Sequence, residues 1–281
     1  MVEQTFWEML RAKRDSLTKS GAIVADYLMQ HAEDAQYLSI SSLANECGVA
    51  EATIFRFCRS LGFQGYNEMK IALAKATATA TPTSAKLEPG ADTQLLITHA
   101  YNTAVEALNG TRNMLDAEAI DRAATLLQRA RQVYFFGQGG SQVLAGDIWA
   151  RFSMLSTKFR TAGDSHMQVM AASLMTEEDV VLFVSYSGAT RDMIETLRTA
   201  KAAGAKIILI THYEDSPGAK LADIVLLCGA QENPLDSGSI PIKVAVLYVA
   251  EVLLLRYMLD DQQQTNEAQD RTTEALAVKM L

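Results

Sequence analysis

The chain has 281 residues, enough for two domains that each bury a core. A net charge of −8 argues against a molecule coated in nucleic acid, and the longest apolar run, Val244 to Leu255, is too short and, with Glu251 inside it, too charged to span a bilayer. No basic-then-apolar leader opens the chain, and Cys47, Cys58 and Cys228 lack CxxC spacing, so a cytoplasmic protein with free, packed thiols is expected.

The charge is uneven. Residues 1–78 carry eight Lys/Arg against nine Asp/Glu, the remainder seventeen against twenty-four. Within 52–75, Arg56, Arg59, Lys70 and Lys75 face Glu68 alone. Any nucleic-acid surface is therefore local to the first quarter.

Residues 6–31 carry apolar residues at helical spacing, with a break expected near Ser20-Gly21. From Ser39 to Phe57 the pattern becomes specific: Ala44, then Gly48 four residues later, then Ile54 six beyond. A helix-turn-helix needs a small residue where two helices cross, a glycine for the left-handed turn and an apolar residue to bury the second helix. Ser39 or Ser41 can cap the first helix, and the second runs from about Ala50 to Leu61, with Gly62 as its stop. Ile54, Phe57, Cys58 and Leu61 face inward. Glu51, Ala52, Thr53, Arg56 and Arg59 remain outside, where a recognition helix meets base edges. With Ser41 and Lys70 these are the candidate DNA contacts. A small helical domain with merely solvated arginines is the competing reading, and the basic balance after Ala52 favours DNA.

Residues 79–92, with Pro82, Pro89 and Gly90, read as a linker. A helical pattern resumes at Asp92 or Thr93 and continues past Leu127; His99 sits on it with no evident chemistry. Strands and helices then alternate: Val133–Phe136, a weaker strand at Lys158–Arg160, Asp179–Val184, Ile207–Ile210 and Ile224–Leu227. The fold class is α/β: an N-terminal all-α helix-turn-helix domain (1–78), then a five-stranded parallel, doubly wound domain (93–265) and a polar tail (266–281). In the order 2-1-3-4-5, the loops after the first and third strands face one crevice.

Those loops are Gly137-Gln138-Gly139-Gly140-Ser141 and Ser185-Tyr186-Ser187-Gly188-Ala189-Thr190. The first has no third glycine for a dinucleotide fingerprint, and no lysine follows Gly188 as a nucleotide P-loop requires. Ser141, Ser185, Ser187 and Thr190, with backbone N–H groups at two helix starts, suit one phosphate monoester. The alternative is that they only shape turns and cap helices. No cofactor and no metal is expected.

The two loops resemble the phosphate loops of sugar isomerase (SIS) domains. Residues 39–70, with Arg56-Phe57 and Leu61-Gly62-Phe63, resemble the N-terminal module of the RpiR family of bacterial transcription regulators. That resemblance, from about residue 5 to 260, implies a helix-turn-helix domain joined to a SIS domain that senses a phosphosugar, acting on carbohydrate genes as a homodimer or homotetramer on palindromic operator DNA, away from any membrane. The implied ligand contacts are Gly137, Gly139, Gly140, Ser141, Ser185, Tyr186, Ser187, Gly188 and Thr190. His166 joins them, since Asp164-Ser165-His166 falls where the family often has an Asp-x-His segment. Ala50 departs from the usual Ser cap, and Lys243 and Glu251 replace an Arg and an Asp of the last large helix.

The SIS fold also serves enzymes, so a sugar-phosphate isomerase with a helical accessory domain stays open, with His166, His212, Glu232 and Asp164 as candidates by location. A DNA-binding dimer with a dead pocket is a third possibility.

Overall fold

The structure, a computed structural model, describes residues 6–78, 90–229 and 240–279. The chain divides into two compact units, and the boundary falls after Tyr101.

The first unit is helical: α1 (Phe6–Lys13), a 3-10 turn (Arg14–Ser16), α2 (Lys19–Gln30), α3 (Ala32–Ala35), α4 (Ile40–Glu46), α5 (Glu51–Leu61) and α6 (Tyr66–Ala78). The expected break at Ser20-Gly21 lies instead at residues 14–18. Thr18 caps α2 by accepting from the Gly21 N–H at 3.1 Å. Gly21 is buried inside the first turn, where a Cβ would meet Thr18 Oγ1 at 3.2 Å. Its glycine serves close packing rather than chain reversal.

The α4–turn–α5 unit forms as its spacing predicts. Ser39 caps α4 by accepting from Ser42 N at 2.9 Å, and Gly48 takes φ +62. Ala44 is 2% exposed at the crossing. At the far end of α5, Gly62 takes φ +101, its N–H donates to Arg59 O, and Phe63 N–H donates to Cys58 O. This paired pattern satisfies the last carbonyls and turns Phe63 back into the core, 6.2 Å from Phe6.

The second unit begins within α7 (Thr93–Met114) and continues with α8 (Ala117–Arg129), β1 (Gln132–Gly137), α9 (Gly140–Ser153), β2 (Phe159–Thr161), α10 (Ser165–Ser173), β3 (Asp179–Val184), α11 (Arg191–Ala202), β4 (Lys206–Thr211), β5 (Ile224–Leu227), α12 (Ile240–Asp260) and α13 (Gln262–Ala277). All strand pairs are parallel in the order β2-β1-β3-β4-β5, as expected from the sequence. Alternation along β3 divides the core. Val180, Leu182 and Val184 pack with residues of α8, α9 and α12, while Val181 and Phe183 pack with residues of α10 and α11.

Two details bear on Glu251 and on the polar tail. Glu251 on α12 pairs with Arg151 on α9, so it ties two helices of the sheet layer. Residues 262–277 of the polar C-terminal stretch are helical, capped by Asp261, with Leu276 and Val278 exposed. The linker residues 79–89 lie outside the described residues.

Candidate functional site

In the helix-turn-helix, α5 presents Ala52, Arg56 and Arg59 to solvent, with Glu51 and Thr53 half-buried beside them. Arg56 donates to Thr53 Oγ1 at 3.3 Å and Arg59 to Gln64 Oε1 at 2.8 Å. Ser41 is corrected by the structure: only 1% exposed, it donates to Glu51 Oε1 at 2.6 Å and acts as a strut beneath Glu51. This cross-turn bond sits where Ala50 leaves α5 without a side-chain cap, and the Glu51 carboxylate meets the positive helix end. Lys70 is half-buried on a different helix, α6. A feature the sequence did not disclose lies beside Arg56. Ser16, Thr18 and Ser20 face Thr53, Arg56 and Ser60 across a cavity of about 430 Å³. Only the fold brings these segments together.

In the second unit, Gly137 and Val184 are register partners, so the two loops leave the sheet side by side. In the first loop, Gly139 takes φ +55 and starts α9 without any side-chain cap. Gly137 is required by close approach, since a Cβ there would lie 2.5 Å from Ser141 O. Gly140 is exposed and Ser141 half-buried. In the second loop, Thr190 starts α11, also without a side-chain cap. Ser187 and Thr190 are exposed, whereas Ser185 is buried and its N–H donates to Ile210 O at 3.0 Å. Gly188 takes φ +58, and its carbonyl accepts from Gly218 N–H at 2.8 Å. Two helix starts without side-chain caps therefore stand at the ends of adjacent strands with their positive dipole ends, and at α9 the Ser141 and Gln142 N–H groups donate to Gln138 O and Gly139 O.

The rest of the site is aromatic and amide. Tyr186 stacks on His212, and Tyr213 meets both rings edge-on. His212 Nδ1 lies 2.9 Å from Cys228 O; a carbonyl can only accept, so Nδ1 carries the proton. His166 is exposed on the first turn of α10, and Asp164 caps that helix by accepting from Met167 N–H at 2.9 Å. Gln168, two residues beyond His166, is the α10 side chain that reaches the first loop, bonding Gly137 O and Gln142. Glu232 lies outside the described residues. Among the described residues no cluster of three His, Cys, Asp or Glu could hold a metal, and no helix is long and apolar enough to cross a membrane.

The helix-turn-helix domain model of the rpiR family matches residues 5–80, and the SIS domain model matches residues 126–256. An uncharacterised HTH-type transcriptional regulator of Caldanaerobacter subterraneus is 33% identical over 97% of this chain and 97% of its own length. The chain belongs to the RpiR family. HexR, an HTH-type transcriptional regulator of Pseudomonas aeruginosa, is 34% identical over 79% of this chain and 76% of its own. Among solved structures, Vibrio vulnificus NanR complexed with ManNAc-6P superposes with a TM-score of 0.89 at 24% identity, covering 99% of this chain and 100% of that one; the two share a fold. RpiR-family membership thus agrees with the α4–α5 geometry and the five-stranded sheet.

Proposed function

We propose that this chain is a transcriptional regulator that binds operator DNA through α5 and a phosphorylated sugar at the loops after β1 and β3. The observation that carries the ligand half is the pair of uncapped starts of α9 and α11, leaving the sheet from the register partners Gly137 and Val184. Backbone N–H groups with Ser141, Ser187 and Thr190 supply donors for one phosphate, and the stack of Tyr186 on His212 anchors the second loop to the end of β4. The ManNAc-6P in the NanR complex supports that ligand class.

For DNA, the exposed Arg56 and Arg59 on a helix following a glycine turn support major-groove reading. A homodimer would present two such helices to the halves of a palindrome, and ligand binding would act by favouring one arrangement of the dimer. For the isomerase alternative, His212 is held through Nδ1 by a backbone carbonyl and stacked on Tyr186, which fixes the ring and leaves Nε2 as its acceptor nitrogen, so turnover decides between the two readings.

The test is fluorescence anisotropy of the protein on DNA from upstream of its own gene, at stated salt, with a panel of sugar phosphates. Specific binding that one phosphosugar shifts, with the shift lost in Ser187→Ala, is the expected result. Binding no tighter than to random DNA overturns the regulator reading, and turnover of a panel member overturns the sensor reading.

A further inference from the structure

Strand β1 outruns its neighbour. Phe135 pairs with Thr161, the last residue of β2, while β1 continues to Gly137. In a parallel ladder alternate residues turn their N–H and C=O to the same edge. Val133 N–H donates to Lys158 O on the β2 side, so Gly137, four residues on, faces that side where the strand has ended.

Two side-chain amides take the place of the missing strand. The Gly137 N–H donates to Gln142 Oε1 at 3.1 Å. Gln168 Nε2 donates to Gly137 O at 2.7 Å and to Gln142 Oε1 at 2.8 Å, which closes a ring of bonds around one residue. Ala162 O, at 3.2 Å, is a third acceptor for only two hydrogens. Gln168 is fully buried, yet its Oε1 has no partner, and neither does the buried Nε2 of Gln138 in the same loop. A buried amide left half-satisfied is a net cost that packing alone would not maintain.

We propose that Gln142 and Gln168 are positioning residues of the ligand site: they fix both backbone groups of Gly137 and so hold the first loop in the form that aims the positive start of α9 and the Ser141 hydroxyl at an anion. The inference rests on the phosphate-binding reading above. It reaches further, since neither glutamine is one of the anion donors assigned to the site. Without the ring, Gly137 would be free to rotate, and the turn at Gly139 would no longer be aimed.

The full chain, its Gln142→Leu and Gln168→Leu variants, the double variant and Ser187→Ala are titrated with inorganic phosphate and with ManNAc-6P by calorimetry, and hydrogen exchange is followed at 137–142 and 185–190. Each glutamine variant is expected to lose roughly 10- to 100-fold in affinity, the scale seen when supporting partners of a ligand site are removed. The double variant should lose no more than the worse single, because the two amides act as one ring. Exchange should rise at 137–142 and stay unchanged at 185–190, and neither Gln168→Glu, which lacks the N–H donor, nor Gln168→Asn, whose amide is one methylene short, should restore wild-type affinity, because only a correctly placed amide donates to Gly137 O. Should Gln168→Leu fail to fold, the half-buried Gln142 still decides the matter. Wild-type affinity in Gln142→Leu, with Ser187→Ala impaired, overturns the positioning role alone. If the wild type binds neither probe, the phosphate reading falls and the positioning role falls with it.

Discussion

The phenol ring of Tyr186 lies parallel to the imidazole of His212, centroids 5.0 Å and planes 8° apart. The contact joins the loop after β3 to the end of β4, and the His212 N–H also donates to Tyr186 O at 3.0 Å. Replacing His212 by Phe keeps a ring and removes the bond to Cys228 O, for an expected loss of about 1 kcal/mol. His212→Ala removes the ring as well and should lose about a further 0.5–1.5 kcal/mol. Urea unfolding of the two variants separates the contributions, and equal losses would show that the stack contributes nothing.

Gly188 has no room for a side chain. At φ +58, an added Cβ would overlap the Ser216 hydroxyl and come within 2.9 Å of Thr211 Oγ1. Gly188→Ala is expected to destabilise the protein by about 1–3 kcal/mol and to weaken phosphosugar binding, because the second loop must move. Thermal unfolding and calorimetry on one preparation check both effects.

The arginines of α5 should behave differently. Arg56 lines a cavity of hydroxyls from the start of α2, which suits a backbone phosphate. Arg56→Ala should weaken specific and random DNA alike and lower the salt slope of log K by about 1. Arg59, bonded to Gln64 on the exposed face, is proposed to meet a base edge. Arg59→Ala should lower affinity for operator by about 1–3 kcal/mol and leave random DNA nearly unaffected. Anisotropy over a salt series distinguishes the two patterns.

Burial pushes the Cys58 and Cys228 thiols from the usual 9.0 up to about 12. An unfolded chain releases these protons from about pH 9 upward, while the folded chain retains them. The stability from these groups is complete below pH 9 and is lost as pH rises from there towards 12, at up to about 1.4 kcal/mol per pH unit for each thiol. Urea midpoints of the wild type and of Cys228→Ala, measured between about pH 8 and pH 10, should converge as pH rises. Ellman's reagent should react slowly with the native protein and fast in urea.

Much of this was legible along the chain because it is local. Ala44, Gly48 and Ile54 act within one supersecondary unit, and a left-handed glycine or a buried apolar face follows from a few neighbouring residues. The alternation of apolar strands with helices likewise implied a parallel sheet, and its order followed from the common doubly wound pattern. The polar side chains were less legible. Ser41 reads in sequence as a helix cap or a DNA contact, but Ser39 is the cap and Ser41 is buried under Glu51, ten residues away.

The sequence by itself determined the two folds, the glycine turns and the two hydroxyl-rich loops, since these depend on backbone preference and hydrophobic period. Tertiary structure decided which amides, hydroxyls and arginines meet. A hydrogen bond from Gln168 to Gly137 spans 31 residues, and the cleft between Ser20 and Arg56 joins separate helices. No periodicity records such partners: a polar side chain finds its bond only after the apolar faces have packed and set the distance.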